Sequence, residues 1–413
     1  DSSQVSGITV VGSSGVVTAS SSLLPGTYVM TAVVTDAVNA TSSASFNVVV
    51  NGASLTITAA SPTAIDYGGS KASDTFTVTG LNAADSITGI TYTYTGSGAT
   101  VYGPTTTAPT AAGTYAITPS AVTFADAASA AKYSTITYTA GLFTINKKAL
   151  TVTPTNQDIV YGATAAITFG VTGFATIGGV AETTSTAAGY VAPSCAVSTY
   201  SVTSNTGTTH TITCSGGSAT NYTFTTTATA TATVAKATLT VIPNSQSVTY
   251  GDAAPTLTFN VSGFLNSQTA STAAGYVAPT CSSSYTRTSP AGTPITISCS
   301  GGSADNYTFT TTATSSITIA KIATLTITAG SPSAINYGGT TPANSFSASG
   351  KATNDVISGV TYNYSGTSGT SYGPSTTAPV LPGDYLITPS AAVFSTGSSS
   401  NYTTITYVAG TWK

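Results

Sequence analysis

Apolar and polar residues alternate with a period of two along the long apolar stretches of this chain. Leu150-Thr-Val-Thr153, Thr238-Leu-Thr-Val-Ile242 and Ser315-Ser-Ile-Thr-Ile319 show the pattern. Such alternation predicts strands with one buried face, and the abundant Thr, Val, Ile and Tyr suit a pleated sheet. Gly-Gly, Ser-Gly and Asn-Gly pairs between the runs predict turns. No window of about 11 residues has an apolar stripe at helical spacing, so we expect an all-β fold.

The chain also repeats itself on the scale of a small β-domain. The sequence Ser-Gly-Gly-Ser-Ala-x-Asn-Tyr-Thr-Phe begins at Ser215 and again at Ser300. Self-alignment predicts a partial immunoglobulin-like domain and four β-sandwich modules in the order A, B, B, A. The predicted borders are Asp1–Gly52 (partial domain), Ala53–Asn146 (first A module), Lys147–Ala235 (first B module), Lys236–Ala320 (second B module) and Lys321–Lys413 (second A module). Repetition of one module is typical of proteins that provide reach, stiffness or a lattice.

Flexible linkers are nearly absent between the modules. The last predicted strand of one module runs through a lysine into the first strand of the next, at Lys147, Lys236 and Lys321. A flexible tether would be rich in glycine and serine, or would be disordered in composition. The predicted fold is therefore all-β, with tandem immunoglobulin-like β-sandwich modules that form an elongated rod.

The composition excludes several classes of function. Only 5% of residues are charged and the formal net charge is −3, so no basic surface for nucleic acid is present. Hydrophobic residues at 41%, together with 23 tyrosines, favour packed cores over disorder. No run of about 18 apolar residues could span a bilayer. General acid–base catalysis needs titratable groups, which this chain scarcely has, so we predict no enzymatic activity, no cofactor and no metal.

Four cysteines lie at matching positions of the two B modules, namely Cys195, Cys214, Cys281 and Cys299. Three pairings are possible, and we favour Cys195–Cys214 with Cys281–Cys299 because each module then closes its own pair. A zinc site is the alternative, but CxxC spacing and repeated histidines are missing. Disulfides predict an oxidising, extracellular compartment.

Two single residues invite a catalytic interpretation. His210 could join a serine and an aspartate in a hydrolase triad, but the second B module has Ile295 at that position, which favours a structural role. Glu182 could catalyse a Lys–Asn isopeptide bond, as in some pilin-like modules, but its module-mate lacks glutamate. We predict that neither residue is catalytic.

Other side chains are candidates for binding. Asp66, Asp74 and Asp85 are scattered and do not form a DxDxDG calcium loop. A tyrosine–glycine pair recurs near the start of each module, which predicts either an aromatic binding track or, as we favour, packing on the core beside a glycine with positive φ. These tyrosines are Tyr67, Tyr161, Tyr250 and Tyr337. Asparagines in N-x-Ser/Thr sequences occur about as often as chance predicts, so the pattern does not support glycosylation at Asn39, Asn221, Asn260, Asn306, Asn363 or Asn401.

The second B module carries the most complete set of repeated motifs. It has Leu-Thr-Val at its start, then Tyr250-Gly-Asp-Ala-Ala-Pro255, Val261-Ser-Gly-Phe264 and Ser300-Gly-Gly-Ser-Ala-Asp-Asn-Tyr307. These motifs resemble the MBG repeats ("mostly β, glycine-rich") of large bacterial surface and adhesin-like proteins, and the resemblance covers about Ala53 to Lys413. The A modules depart from it, since they lack the acidic residue after Tyr-Gly and the first has Lys132-Tyr133 in place of Asn-Tyr. The resemblance implies a stalk or fibre on a bacterial surface and supplies no catalytic residues.

Together these features predict a structural repeat segment of an extracellular bacterial surface stalk or filament. The alternative is an adhesin segment that binds host or neighbouring-cell glycans or proteins, with the loop Thr93–Thr107 as the closest candidate site. Asp1–Gly52 is half a sandwich and the chain stops inside its last strand at Trp412, so we expect end-to-end association into a fibre. Continuation of a longer chain and strand exchange between subunits are both open. Neither a nucleic acid partner nor membrane insertion is predicted.

Overall fold

β-Strands make up nearly all the regular structure in the computed structural model, which describes residues 5–413. Helical structure in this part of the chain is confined to α1 (Ala127–Ala130) and one 3₁₀ turn (Ser399–Asn401). The predicted all-β fold class is confirmed. Tertiary contacts divide the chain into two compact units. The first unit contains the chain up to Asn156, Ala166–Ser198 and Thr211–Thr231. The second unit contains Gln157–Ala165, Thr199–His210 and Ala232–Lys413.

Two antiparallel hairpins precede the first A module. Their strands are β1 (Ile8–Val11) with β2 (Val16–Ala19), and β3 (Gly26–Thr35) with β4 (Thr41–Val50). On β3, Met30 is buried whereas Val29 is 62% exposed. Successive residues of this strand therefore point to opposite faces, one packed and one open to solvent.

The first A module consists of two sheets. Its strands are β5 (Ala53–Ala59), β6 (Ile65–Asp66), β7 (Phe76–Thr79), β8 (Ile87–Gly96), β9 (Gly113–Phe124), β10 (Tyr133–Thr139) and β11 (Gly141–Asn146). In the three-stranded sheet, β5 lies between β10, to which it is parallel, and β7, to which it is antiparallel. The four-stranded sheet has the order β6-β11-β9-β8, and β6 is parallel to β11.

The first B module repeats this pairing and adds a small hairpin. Its strands are β12 (Lys148–Pro154), β13 (Gln157–Val160), β14 (Phe169–Thr172), β15 (Thr176–Ile177), β16 (Val180–Ala181), β17 (Ser194–Val197), β18 (Thr209–Ser215), β19 (Tyr222–Thr225) and β20 (Thr229–Ala235). β12 is antiparallel to β14 and parallel to β19. β13 is parallel to β20, β17 is antiparallel to β18, and β15 pairs with β16.

The second B module has the same order of strands. They are β21 (Ala237–Pro243), β22 (Gln246–Thr249), β23 (Phe259–Ser262), β24 (Thr280–Ser283), β25 (Ile295–Ser300), β26 (Tyr307–Thr310) and β27 (Thr314–Ala320). Its sheets are β23-β21-β26 and β22-β27-β25-β24. β21 is parallel to β26, and β22 is parallel to β27.

The second A module has the strand pairing of the first, except that no strand in residues 321–413 corresponds to β6. Its strands are β28 (Ile322–Ala329), β29 (Phe346–Ser349), β30 (Val356–Thr367), β31 (Asp384–Thr396), β32 (Tyr402–Val408) and β33 (Gly410–Trp412). They form the sheets β29-β28-β32 and β30-β31-β33. The 3₁₀ turn precedes β32 as α1 precedes β10, so the two A modules differ little in chain course.

The predicted alternation places the core between the two sheets of each module. On β21, Leu239 and Val241 are fully buried, whereas Thr238 points to solvent. In the first A module, Leu55 of β5 belongs to one apolar cluster with Phe124 of β9, in the opposite sheet. The modules are therefore β-sandwiches.

Candidate interaction site at the module junctions

The tyrosine–glycine pairs lie where one module meets the next. Tyr67, Tyr161 and Tyr250 are 7%, 3% and 2% exposed, so the interpretation as packed tyrosines is confirmed at these three positions. Each is followed by a glycine with φ between +82° and +89°, a region that disfavours other residues. A Cβ on Gly68 would lie 2.7 Å from Cβ of Ala175, in the first B module. Glycine thus permits the two modules to approach closely.

Two tyrosine hydroxyls converge on a buried carboxylate between the second B and second A modules. Tyr250 donates to Oδ1 of Asp355 at 2.6 Å, and Tyr402 donates to Oδ2 at 2.5 Å. Asp355 is 1% exposed. The backbone N–H of Ala352 donates to the Tyr402 hydroxyl at 3.1 Å and fixes its direction. Because a buried carboxylate is costly without hydrogen bonds, this site depends on both modules.

Between the first A and first B modules, a glutamate is the acceptor for two tyrosine hydroxyls. The hydroxyl of Tyr67 donates to Oε1 of Glu182 at 3.1 Å, and that of Tyr222 donates to Oε2. The rings of Tyr67 and Tyr222 meet edge to face with their centroids 5.4 Å apart. Glu182 therefore joins two modules through hydrogen bonds.

An amide takes the place of the acid between the two B modules. The hydroxyl of Tyr307 donates to Oε1 of Gln268 at 2.6 Å, and the ring of Tyr161 packs edge to face on Tyr307 at 5.5 Å. A Cβ on Gly162 would lie 2.7 Å from Cδ1 of Leu265, which covers that glycine. An amide offers one acceptor oxygen where a carboxylate offers two, and Tyr161 contributes here by ring packing.

Burial and hydrogen bonding raise the pKa of the junction tyrosines. Desolvation, followed by the hydrogen bond to Asp355, raises the pKa of Tyr250 to about 12. Desolvation and the bond to Glu182 raise the pKa of Tyr222 to about 12, and the pKa of Tyr67 is also raised. The hydroxyls therefore stay protonated, and remain donors, across the neutral range.

An asparagine closes each of these three junctions. Its Oδ1 accepts a backbone N–H from the preceding module, always from the residue before a glycine. The pairs are Ala112 with Asn221 at 3.0 Å, Thr206 with Asn306 at 2.8 Å, and Ala291 with Asn401 at 2.9 Å. The three asparagines are at most 7% exposed. These N-x-Ser/Thr positions are therefore engaged in packing.

The first A module presents a different face to the hairpins before it. Lys132 replaces asparagine, and its ammonium donates to Oδ1 of Asp85 at 2.7 Å. Tyr133 donates to Oδ2 of the same carboxylate at 2.7 Å. The hydrogen bond from Lys132 is the main reason that the pKa of Asp85 lies below its ordinary value. Contact with the hairpins includes Asn82, whose Nδ2 donates to the carbonyl of Ser21 at 3.2 Å.

Tyr337 differs from its three counterparts because it is 78% exposed. Our expectation of core packing was wrong at this position, since no described module covers the tyrosine. It lines an open groove with Ile335, Val380, Leu381 and Trp412. Ile335, Val380 and Leu381 are exposed, as Tyr337 is, whereas Trp412 is buried.

His210 contacts threonine and tyrosine side chains. Its Nδ1 lies 3.3 Å from the hydroxyl of Thr199 and its Nε2 lies 3.1 Å from that of Thr208. Its ring meets that of Tyr200 edge to face at 5.6 Å. Threonine hydroxyls contact both ring nitrogens, and the structural role of His210 stays a prediction.

The three candidate aspartates lie in separate places. Asp66 accepts from Nδ2 of Asn146 at 3.4 Å, Asp74 pairs with Lys71 at 2.5 Å, and Asp85 is the junction acid described above. Within residues 5–413, no cluster of three His, Cys, Asp or Glu side chains could hold a metal ion.

The candidate adhesin loop Thr93–Thr107 turns its aromatic side chains inward. Tyr94 is 4% exposed. Tyr102 donates to the carbonyl of Thr107 at 2.9 Å, and its ring packs edge to face on Tyr115 at 5.4 Å. These tyrosines stabilise the loop itself and leave little aromatic surface for a glycan.

The cysteines form the disulfides Cys195–Cys214 and Cys281–Cys299. Each bond joins directly opposed residues on neighbouring antiparallel strands, β17 with β18 and β24 with β25. Disulfides persist in oxidising compartments, which agrees with an extracellular protein. No helix in residues 5–413 is long and apolar enough to cross a bilayer.

The junction acceptors were not among the residues predicted from the sequence. Asp355 and Gln268 were not candidates, and Glu182 was considered only as a catalyst. Comparison of A with B modules would have shown the signal: an acid or amide recurs upstream of the closing tyrosine in every module. These residues are Asp85, Glu182, Gln268 and Asp355.

The junction residues of the second B module lie within a segment that matches a known family. Its Tyr-Gly pair is buried against the next module, and its Asn-Tyr pair receives the module before it. Residues 239–315 match the MBG domain (YGX type). The suspected resemblance is confirmed for this segment. The MBG domain extends from β21 into β27 and includes Tyr250-Gly251 and Asn306-Tyr307.

Other comparisons add no functional information. No curated protein matches the sequence at a significant level. The chain is similar to the protocadherin gamma-B4 extracellular domain (9% identity, TM-score 0.21, covering 100% of this chain and 76% of that one). It is also similar to the eight N-terminal Ig domains of Down syndrome cell adhesion molecule isoform 1.30.30 (8% identity, TM-score 0.19, covering 96% and 54%). TM-scores this low support no inference about this chain.

Proposed function

We propose that this chain is a structural repeat segment of an extracellular stalk or filament on a bacterial surface. The observation that carries the proposal is the buried junction, in which tyrosines of two modules pack together and the hydroxyl of at least one of them donates to a carboxylate or amide oxygen. Tilting one module against the next would break hydrogen bonds in a desolvated site, which is costly. Junctions of this kind favour rigid, in-line modules.

The composition and the disulfides suit this role. Few charges, short connections and a cross-strand disulfide in each B module favour persistence outside the cell over switching or catalysis. The bacterial surface is suggested by the MBG resemblance. We do not propose a glycan site in Thr93–Thr107, because its tyrosines are used by the fold.

Electron microscopy of the purified full chain tests the proposal. We expect narrow rods with roughly 40 Å for each module. Asp355→Ala should introduce a bend near one end, because it removes the acceptor shared by Tyr250 and Tyr402. The control is Asp384→Ala, which removes a half-buried acid of the same module, 3.7 Å from Lys413. Wild-type particles with freely variable angles between modules would exclude a rigid stalk.

A further inference from the structure

The groove around Tyr337 corresponds to a surface that is covered in the first A module. There, the equivalent groove is lined by Ile65, Gly68 and Gly69 together with Thr176-Ile177-Gly178 of the first B module, and Ala175 of that module lies against Gly68. In the second A module the matching positions are Ile335, Gly338 and Gly339. In this chain, a covered Tyr-Gly face is therefore covered by the face of another module.

One residue distinguishes this face from the three covered faces. At those junctions, the residue before a glycine donates its backbone N–H to asparagine: Ala112, Thr206 and Ala291. The equivalent residue in the second A module is Pro382, before Gly383. Proline has no N–H, so an incoming asparagine would be buried without its donor.

A proline also occurs at the equivalent position of the turn before β3. Leu24-Pro25-Gly26 precedes Tyr28, as Leu381-Pro382-Gly383 precedes Tyr385. Tyr28 donates to the carbonyl of Leu24 at 2.6 Å, and Tyr385 donates to that of Leu381 at 2.6 Å, so the two turns are equivalent. The module that follows Pro25 is the one that carries lysine in place of asparagine.

We propose that the Tyr337 face is a docking surface for another module of this kind, one that carries Lys-Tyr rather than Asn-Tyr. The proposal rests on the proposed stalk function and adds a rule of module order. A face with an N–H before its glycine takes an asparagine module, and a face with proline takes a lysine module.

The chemistry of Lys132 explains why lysine suits a proline face. Its ammonium finds an acceptor in Asp85 of its own module, at 2.7 Å, and needs no donor from the module before it. An asparagine opposite Pro382 would instead leave a buried oxygen unsatisfied, which favours the lysine module by about tenfold in the docking equilibrium.

An extended chain tests the proposal. Lys413 corresponds to Thr144 at the natural first A–first B junction, so a copy of residues 145–235 can be appended in register. Two versions are made. One keeps Asn221 in the appended copy. The other carries Asn221→Lys there, so that Glu182 of the same copy can accept a hydrogen bond from the lysine. Each version is made with Pro382 and with Pro382→Ala.

Docking is read from nitration of Tyr337 and from the emission of Trp412, the only tryptophan in the chain. With Pro382, we expect the lysine version to protect Tyr337 about tenfold better than the asparagine version. Pro382→Ala should restore docking of the asparagine version. If the lysine version does not fold, a copy of residues 53–146 with its native Lys132 replaces it.

Three results would overturn the proposal. Equal reactivity of Tyr337 in all extended chains would show that the face does not dock modules. If Pro382→Ala changed the docking of neither version, the rule of module order would be wrong. Protection that rises with concentration in the unextended chain would identify the face as a contact between copies. A failure of the stalk function would appear separately, as variable angles between modules by electron microscopy.

Discussion

The hydroxyl of Tyr250 lies 2.6 Å from Oδ1 of Asp355, although 105 positions separate the two residues in the sequence. Each residue belongs to a different module, and both are buried. A hydrogen bond to a charged group contributes about 1.5–3 kcal/mol, so one such bond is enough to couple the opening of two modules.

Tyr250→Phe should therefore destabilise the junction by about 1.5–3 kcal/mol, because Asp355 loses one of its two tyrosine donors while packing is preserved. Hydrogen exchange should detect the loss as faster opening around β32. Tyr337→Phe is the matched control: it removes the hydroxyl of an equivalent tyrosine that is 78% exposed. Equal effects of the two variants would show that the bond to Asp355 adds nothing to the junction.

Glu182→Gln should weaken the first A–first B junction but not abolish it, because Gln268 occupies the same place between the two B modules. A glutamine retains one acceptor oxygen of the two that Tyr67 and Tyr222 use. In a Tyr67→Phe background the same substitution should cost less, since one donor is already absent. Hydrogen exchange of the four proteins gives the coupling, and strict additivity would contradict the shared-acceptor geometry.

Alkaline pH should open the junctions. The pKa values of Tyr222 and Tyr250 are raised to about 12, above the value of about 10 in an unfolded chain. The native state thus holds these protons more tightly, so the stabilisation is complete below pH of about 10 and is lost as the pH rises toward 12. Tyrosinate absorbance should show a late titration step, and Tyr250→Phe should reduce its amplitude. A titration without a late step would contradict the raised pKa values.

Replacing Cys281 and Cys299 by alanine should destabilise the second B module by about 3 kcal/mol, the chain-entropy estimate for a loop of this size. The two residues are 18 positions apart and lie directly opposite each other on β24 and β25. The loss should be local, so hydrogen exchange in the first A module should stay unchanged. Replacing Cys195 and Cys214 provides the comparison, since it should act on the first B module by a similar amount.

The strands could be predicted because each alternating segment carries its own signal. Leu239 and Val241 are buried while Thr238 faces solvent, as period-two patterning requires. The pairing of cysteines within modules followed from their matching positions in two copies. Local pattern and repetition thus gave the all-β class and the recurring modules.

The junctions could not be predicted in the same way, because their partners are distant in sequence. Tyr67 and Glu182 are 115 positions apart, and the acceptor changes from Glu182 to Gln268 between the two B modules. Glutamate, glutamine and aspartate share an oxygen acceptor but differ in length and charge. An identity-based comparison of the repeats therefore hides the shared role, and Glu182 is mistaken for an isolated residue.

The parallel pairing of early and late strands has a consequence for synthesis of the chain. β21, the first strand of its module, pairs with β26, which emerges only when most of the module has been made. Such non-local pairing slows folding. Tyr307 is the first residue of β26 and also receives Tyr161 of the preceding module. A nascent module can therefore attach to its predecessor only once its own sandwich is closed, so an incompletely folded module stays unattached.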